Sequence, residues 1–399
     1  MFFDIIEPGG INRVIQGLQS GFAKAGVECD YYHASRTGNL SKVFSDTHAV
    51  ISSRIFRMAA KGQIGYGKAH LRKAYRKLAK TYDAVMFIHP CPHDNKQTNG
   101  DTSWMGLYDV DVPVFVIFHD NFWDRYYKWI EEVRDKISAS LFTVWNAKSD
   151  SLSRFPGDHY WLPVPLPVEE GGLFEEQKLH RVGWFPQWKH TKGIKPFLGS
   201  CHLIDSSVDV KLFNIGVVYY SIRHEPIWQE NVSHDFTTNT PANGPKNVTF
   251  HGLLVPGQIE EEMRKCKVGV DLFGSKGAVG GQYTCCMLEY MLNGVVPIVS
   301  GAMVEHPDSI LSVAKVGKRV VVAVDPDSPA KMARVMNKVL ANYGDYTQLR
   351  QDGLEFVSKR HDEKKIAKAL AKMFTKYATK SGQHEEAKFF KLPGMENDD

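Results

Sequence analysis

Residues 247–300 read NVTFHGLLVPGQIEEEMRKCKVGVDLFGSKGAVGGQYTCCMLEYMLNGVVPIVS, and the order of apolar runs and chain breakers in this stretch decides the fold. Val248 to Leu254, Val268 to Phe273 and Val295 to Val299 are short β-branched and aromatic runs separated by helix-length segments. That alternation predicts parallel βαβ units. Ligands of such sheets sit at the carboxyl ends of the strands. After Phe273 the chain supplies Gly274, Gly277, Gly280 and Gly281, then Gln282 and Tyr283, and enters a helix. Free N–H groups, the positive end of the helix dipole and missing side chains together suit a phosphate. Glu289 lies two turns further along, where a carboxylate can accept hydrogen bonds from a ribose diol.

Working outward, Phe2 to Ile6 reads as a strand, Pro8-Gly9-Gly10 as a turn, and the following segment as a helix with apolar Val14, Leu18 and Phe22, stopped by Gly26 before a strand over Val27 to Tyr32. Tyr82 to Ile88 and Pro113 to Phe118 are further strands; the second runs into His119-Asp120-Asn121. An imidazole beside a carboxylate at a strand's carboxyl end is a candidate for proton transfer or orientation of a hydroxyl. YWLPVPLPV at Tyr160 to Val168 carries three prolines and reads as a stiff linker. Beyond it come a strand at Arg181 to Phe185, a loop with Lys189, and a helix opened by Lys192-Gly193. Arg319 to Val324 reads as a strand, Ala330 to Asn342, Asp345 to Lys359 and Ile366 to Tyr377 as helices, and the polar residues from Ser381 as a frayed tail.

The 399 residues suggest two domains, each able to bury its own core. Apolar content of 43% and charged content of 24% are those of a globular chain rather than a disordered one. The six cysteines form no C-x-x-C pair and several lie in apolar runs, which favours reduced thiols over a disulfide framework or zinc site. No metal site is expected. No apolar stretch reaches membrane-spanning length and no signal peptide is expected before the first strand, so a cytoplasmic protein is the expectation.

Charge is unevenly placed. Net charge is only +4, yet between Thr47 and Tyr82 the chain holds Arg54, Arg57, Lys61, Lys68, Arg72, Lys73, Arg76, Lys77 and Lys80 with no Asp or Glu. Arg72, Lys73, Arg76 and Lys77 fall on one side of a helix at spacings of three and four. A solvated helix ordinarily mixes both signs, so such a face suits a polyanion: the phosphates of a nucleic acid, or an anionic membrane surface.

The run Val248 to Val299 resembles the donor-binding domain of retaining GT-B glycosyltransferases. Leu288, Glu289, Asn293-Gly294 and Val296-Pro297-Ile298 fall at the spacing of that family's "LE-A-x-x-x-G-x-x-P-V" pattern. Many members carry a second Glu eight residues before the first; here that position is Gly281. VGWFPQWKHTKGI is similar to the family's "GR, loop, KG" element, with Lys192 matching the Lys and Trp184 standing in the Arg position, so that either Arg181 or Lys189 replaces it or the donor is held with fewer charges. FVIFHDNFWDR followed by SLFTVWNAKSD resembles the acceptor domain of the bacteriophage DNA α-glucosyltransferases, in which the His-Asp pair lies at the active centre.

The resemblance implies an α/β protein of GT-B fold with two Rossmann-like domains and a cleft between them. Residues 1–165 would be the acceptor domain, 166–360 the nucleotide-sugar domain, 361–380 a helix crossing back to the first domain, and 381–399 a polar tail. It implies a UDP-sugar donor, glucose or another hexose or pentose, with retention and no essential metal. Gly9, Gly10, Arg181, Lys189, Lys192, Gly280, Gly281, Gln282, Tyr283 and Glu289 would hold the donor, and His119 and Asp120 would act at the acceptor. Arg54, Arg57, Lys61, Lys68, Arg72, Lys73, Arg76 and Lys77 would follow double-stranded DNA bearing hydroxymethylated pyrimidines, and a monomer is expected. Two alternatives stay open: a GT-B enzyme acting on an envelope glycan or lipid, and a non-catalytic protein that binds DNA or nucleotide-sugars.

Overall fold

In a computed structural model the described residues are 2–3, 10–29, 32–33, 80, 82–88, 111–118, 134–143, 155, 157–187, 192–213, 234–235, 240–241, 247–251, 254, 257–273, 283–306, 309–311, 316–379 and 389–391. They form two units, Met1–Leu166 with Asp362–Asp398, and Pro167–His361.

The first unit holds a parallel sheet of β1 (Phe2–Phe3), β2 (Tyr32–His33), β3 (Val85–Ile88), β4 (Val114–Phe118), β5 (Ala139–Phe142), β6 (Asp158–Trp161) and β15 (Phe389–Lys391), in the order β15-β6-β5-β4-β3-β1-β2. Every residue of β3, β4 and β5 is buried, as expected of parallel strands covered on both faces. Two readings change here. Tyr160 and Trp161 belong to β6 rather than to a linker, and Leu162, Val164 and Leu166 beyond them are buried, so the proline-rich stretch is a core segment. Within the segment read as a frayed tail, Phe389–Lys391 pairs with His159–Trp161, because β6 would otherwise be left with an open edge.

Helix α1 (Gly10–Ala25) buries Val14, Ile15, Leu18 and Phe22, the stripe its sequence spacing requires. Gly17 and Gly21 are one turn apart on it. A Cβ at Gly17 would lie 2.1 Å from the Pro165 carbonyl oxygen, and one at Gly21 would lie 2.3 Å from that of Glu363. Both sites are backbone against backbone, so nothing flexible can give way. The same face anchors Glu363, the first residue of the helix Glu363–Thr379: its carboxylate is 2% exposed, pairs with Lys24 at 2.7 Å and accepts from the Ser20 hydroxyl at 2.8 Å. Gly21→Ala should therefore cost about 1 to 3 kcal/mol, the usual range for overpacking. A urea titration checks it, and an unchanged midpoint would refute the close-packed junction.

The second unit holds β7 (Arg181–Trp184), β8 (Asp209–Leu212), β11 (Val248–Phe250), β12 (Val268–Asp271), β13 (Val296–Ser300) and β14 (Val322–Val324) in a parallel sheet ordered β11-β8-β7-β12-β13-β14. A short antiparallel pair, β9 (His234–Asp235) and β10 (Thr240–Pro241), stands outside it. The chain lays down β7 first, then β8 and β11 to one side and β12, β13 and β14 to the other. The crevice between β7 and β12 is thus the point of reversal, where doubly wound sheets take their ligands. Pro297, with no N–H to give, sits in β13 opposite Gly269 of β12, one residue before β13 begins to pair with β14 at Ile298. Among the described residues no helix is long and apolar enough to cross a membrane.

Candidate functional site

Three elements reach the β7/β12 crevice. Beyond the carboxyl end of β7, Gly193 adopts φ +76° and caps the helix α2 (Ile194–Cys201). A Cβ there would meet Leu272 Cβ at 2.4 Å, so the turn lies directly against the end of β12. Lys192, one residue earlier, holds its ammonium 4.2 Å from the centroid of the Phe273 ring.

At the end of β12 stands Asp271, fully buried in a strand whose other residues are apolar or glycine. Its Oδ1 accepts from the Phe273 N–H at 3.3 Å, and its Oδ2 accepts from the Thr284 hydroxyl. Burial raises its pKa above the ordinary carboxylate value, against the pull of Lys192, Thr284 and the Phe273 amide.

The third element is α4, Cys285–Leu292, numbered after α3 (Gln258–Arg264). Thr284 is its N-cap and accepts from the Met287 N–H at 3.2 Å. The rotation of α4 is fixed by Tyr290, whose ring covers Gly269 so closely that a Cβ would fall 2.6 Å from it. The Tyr290 hydroxyl donates to the Val270 carbonyl at 3.2 Å and accepts from the Phe185 N–H at 3.3 Å. Cys285 and Glu289, four apart, share a face with Cys286 beside them. Glu289 is 6% exposed. The Cys286 thiol is pushed well up, first by burial and then by Glu289 and Asp271, with Lys192 opposing, so all three charges act on one sulfur.

The far end of α4 is held as firmly. Gly294 (φ +61°) closes the helix, with its N–H on the Met291 carbonyl at 3.2 Å and the Val295 N–H on that of Tyr290 at 2.9 Å. A Cβ at Gly294 would strike Leu173 at 2.5 Å. Lys178 donates to the Asn293 carbonyl at 2.7 Å from an enclosed position that lowers its pKa to about 7. That contact secures the carboxyl terminus of α4 rather than a ligand.

Of the residues expected to hold a donor, Lys192 and Glu289 belong to this crevice. Tyr283 precedes the cap of α4 and sets its ring edge-on to His361 at 5.7 Å. Gly10 is the first residue of α1. Arg181 is corrected: it opens β7, at the end of the strand opposite the crevice, and pairs with Asp209 at 2.8 Å and Glu262 at 2.9 Å. Its charge is committed there. Trp184, at the family's Arg position, is fully buried, stacks on Phe197 at 5.0 Å and donates to the Pro186 carbonyl at 3.0 Å, so it is core. Asp271, Thr284 and Ser300, whose hydroxyl donates to the Phe273 carbonyl at 2.5 Å, were not expected from sequence. A carboxylate ending an apolar strand was the available signal.

Gly9, His119, Asp120, Lys189, Gly280, Gly281, Gln282 and the basic residues Arg54, Arg57, Lys61, Lys68, Arg72, Lys73, Arg76 and Lys77 lie outside the described residues. β4 ends at Phe118, the residue before His119 in the chain. Cys201 and Cys266 are buried, Cys29, Cys285 and Cys286 are half-buried, and none of these five forms a disulfide. Among the described residues no group of three or more His, Cys, Asp or Glu is placed to hold a metal.

These two parallel sheets define the class: the chain has the GT-B fold, α/β with two Rossmann-like domains. An alpha-glucosyltransferase in complex with UDP superimposes with a TM-score of 0.70 at 13% identity, over 94% of this chain and 98% of that one. HepE of Anabaena, in complex with UDP and glucose, gives 0.65 at 11% identity over 94% and 99%. A glycosyltransferase from Rickettsia africae gives 0.65 at 10% over 95% and 98%. No protein-family model matches the sequence, and no curated protein matches it.

Proposed function

We propose that the protein is a glycosyltransferase that takes a UDP-sugar and transfers the sugar, with retention, to the hydroxyl of a hydroxymethylated pyrimidine in DNA. The observation that carries the donor half is the crevice itself: a lysine, a capped helix N-terminus and a buried glutamate meet at the reversal point of a GT-B sheet, the fold of proteins crystallised with UDP or UDP-glucose. Lys192 and the α4 dipole would stabilise the charge that develops on the departing diphosphate. Glu289 would bridge the two ribose hydroxyls.

The DNA half rests on the basic segment between Thr47 and Tyr82 and on the alpha-glucosyltransferase that was crystallised with UDP-glucose and DNA containing an abasic site. A base inside a duplex is closed to an enzyme of this kind, so the target nucleotide would have to leave the stack. His119 and Asp120 would then orient the hydroxyl and help remove its proton.

The test is the intact mass of nucleosides from hydroxymethylated DNA after incubation with a panel of UDP-sugars. A hexose or pentose increment is expected; its absence with every donor removes the reading. His119→Ala and Asp120→Ala should each lower turnover by about 100-fold or more, the usual contribution of a positioned acid or base, with UDP affinity nearly intact. Wild-type turnover in either variant would reduce the pair to structure. HepE and the Rickettsia protein match this chain to a similar degree as the DNA-bound neighbour does, so the fold by itself does not select DNA, and a glycan or lipid acceptor is the second reading. Sugar transfer to such an acceptor, with none to DNA, would establish it.

A further inference from the structure

The UDP-sugar reading leaves unexplained why a carboxylate stands, fully buried, beside a site meant for an anion. Burying a charge is costly unless it is paired, and this one sits at the end of β12, next to the N-terminus of α4. Its contacts suggest a purpose. The Thr284 hydroxyl donates to Asp271 and in turn accepts the Met287 N–H, so the carboxylate governs the orientation of the cap on the helix that carries Glu289. The Phe273 amide donates to its other oxygen, and Lys192 lies over the ring of that same residue. Among the described residues, Lys192 is the cation that acts on the carboxylate.

We propose that Asp271 is a positioning residue for the donor diphosphate: it sets the α4 cap through Thr284, gives Lys192 a counter-charge while the site is empty, and takes up a proton from solvent when the diphosphate arrives. This rests on the UDP-sugar reading and adds to it a proton that binds with the donor. Lys192 from the β7 side acts on Asp271, Asp271 in turn acts on Cys286 and Tyr290 of α4, Glu289 acts on the same Cys286, and the Ser300 hydroxyl of β13 binds the Phe273 carbonyl next to it. A diphosphate drawn to Lys192 both repels the carboxylate and competes for its cation. Each effect favours the neutral acid. Burial pushes the group in the same direction. Sign follows from linkage: if the complex binds one proton more than the free protein, affinity rises as pH falls, by at most about tenfold per pH unit, between the free and bound pKa values.

The experiment is calorimetric titration with UDP-glucose, whose diphosphate is a diester and does not itself titrate near neutrality, in two buffers of different ionisation enthalpy from about pH 5 to about pH 8. Wild type should take up protons on binding and bind more tightly at the acid end. Asp271→Asn keeps an acceptor for Thr284 and should bind with little pH dependence and no uptake from this site. It should also melt at a higher temperature than wild type near neutral pH, since a buried charge is removed. Carbon-13 NMR of the wild-type Asp271 carboxyl is the second measurement, should the variant fail to fold: its protonation should move to higher pH with UDP-glucose bound. Wild-type proton uptake and pH dependence retained in Asp271→Asn, or an NMR titration that donor does not move, overturns the inference and leaves the donor reading standing. No binding of UDP-glucose by wild type overturns both.

Discussion

Replacing Glu289 with alanine is expected to weaken UDP-sugar binding by about 10- to about 150-fold and to leave DNA binding almost unchanged. A carboxylate that bridges two ribose hydroxyls makes charge-assisted hydrogen bonds worth about 1.5 to 3 kcal/mol, and about 1.4 kcal/mol is a factor of ten in affinity. The local structure makes the test specific. Thr284 caps one end of α4, Gly294 closes the other, and Tyr290 locks its rotation on Gly269. Truncating a single half-turn of side chain therefore leaves the helix where it is. Glu289→Gln, which keeps the shape and loses the charge, should fall between wild type and alanine. Calorimetry with UDP reads the effect, and unchanged affinity in Glu289→Ala would remove the residue from the site.

Reversing Arg72, Lys73, Arg76 and Lys77 to Glu should change DNA binding more than any single substitution. Each phosphate contact contributes about 0.9 to the slope of log K against log salt. Losing four contacts should flatten that slope by about three to four units and raise the DNA concentration needed for turnover. Phosphate contacts carry no base information, so the loss should be similar on any duplex sequence, and hydrolysis of the UDP-sugar by water should be spared. Fluorescence anisotropy across a salt series measures the slope. A wild-type profile in the four-Glu variant would sink the DNA interface, and loss of binding to anionic vesicles instead would move these residues to a membrane surface.

Local chemistry made much of this protein readable as text. Runs such as VFVIF and VPIVS are apolar throughout because both faces of a parallel strand are covered, and the segments between them have helix length. Many strands and helices could therefore be placed near their observed bounds, although Val27 to Tyr32, read as a strand, is not one over 27–29 and the strand there is Tyr32–His33. Glu289, Gly294 and Pro297 share one short stretch, so their spacing survives in sequence and carries the resemblance to the GT-B family. The place of Lys192 just before α2 was legible for the same reason, as part of a strand-loop-helix signature.

What the sequence could not settle depends on partners distant along the chain. Whether Arg181 faces a ligand or an ion pair turns on Asp209 and Glu262, 28 and 81 residues away. Trp184 is core because Phe197 stacks on it. Phe389–Lys391 is a strand because it pairs along β6, about 230 residues earlier in the chain. Asp271 acquires meaning only when the sheet sets β7 beside β12, so that the Thr284 hydroxyl bonds its carboxylate and the charge of Lys192 acts on it. Periodicity and breakers determined the elements, since those obey short-range geometry. Burial and charge pairing decided which polar residues are free to act, and both are properties of the packed chain.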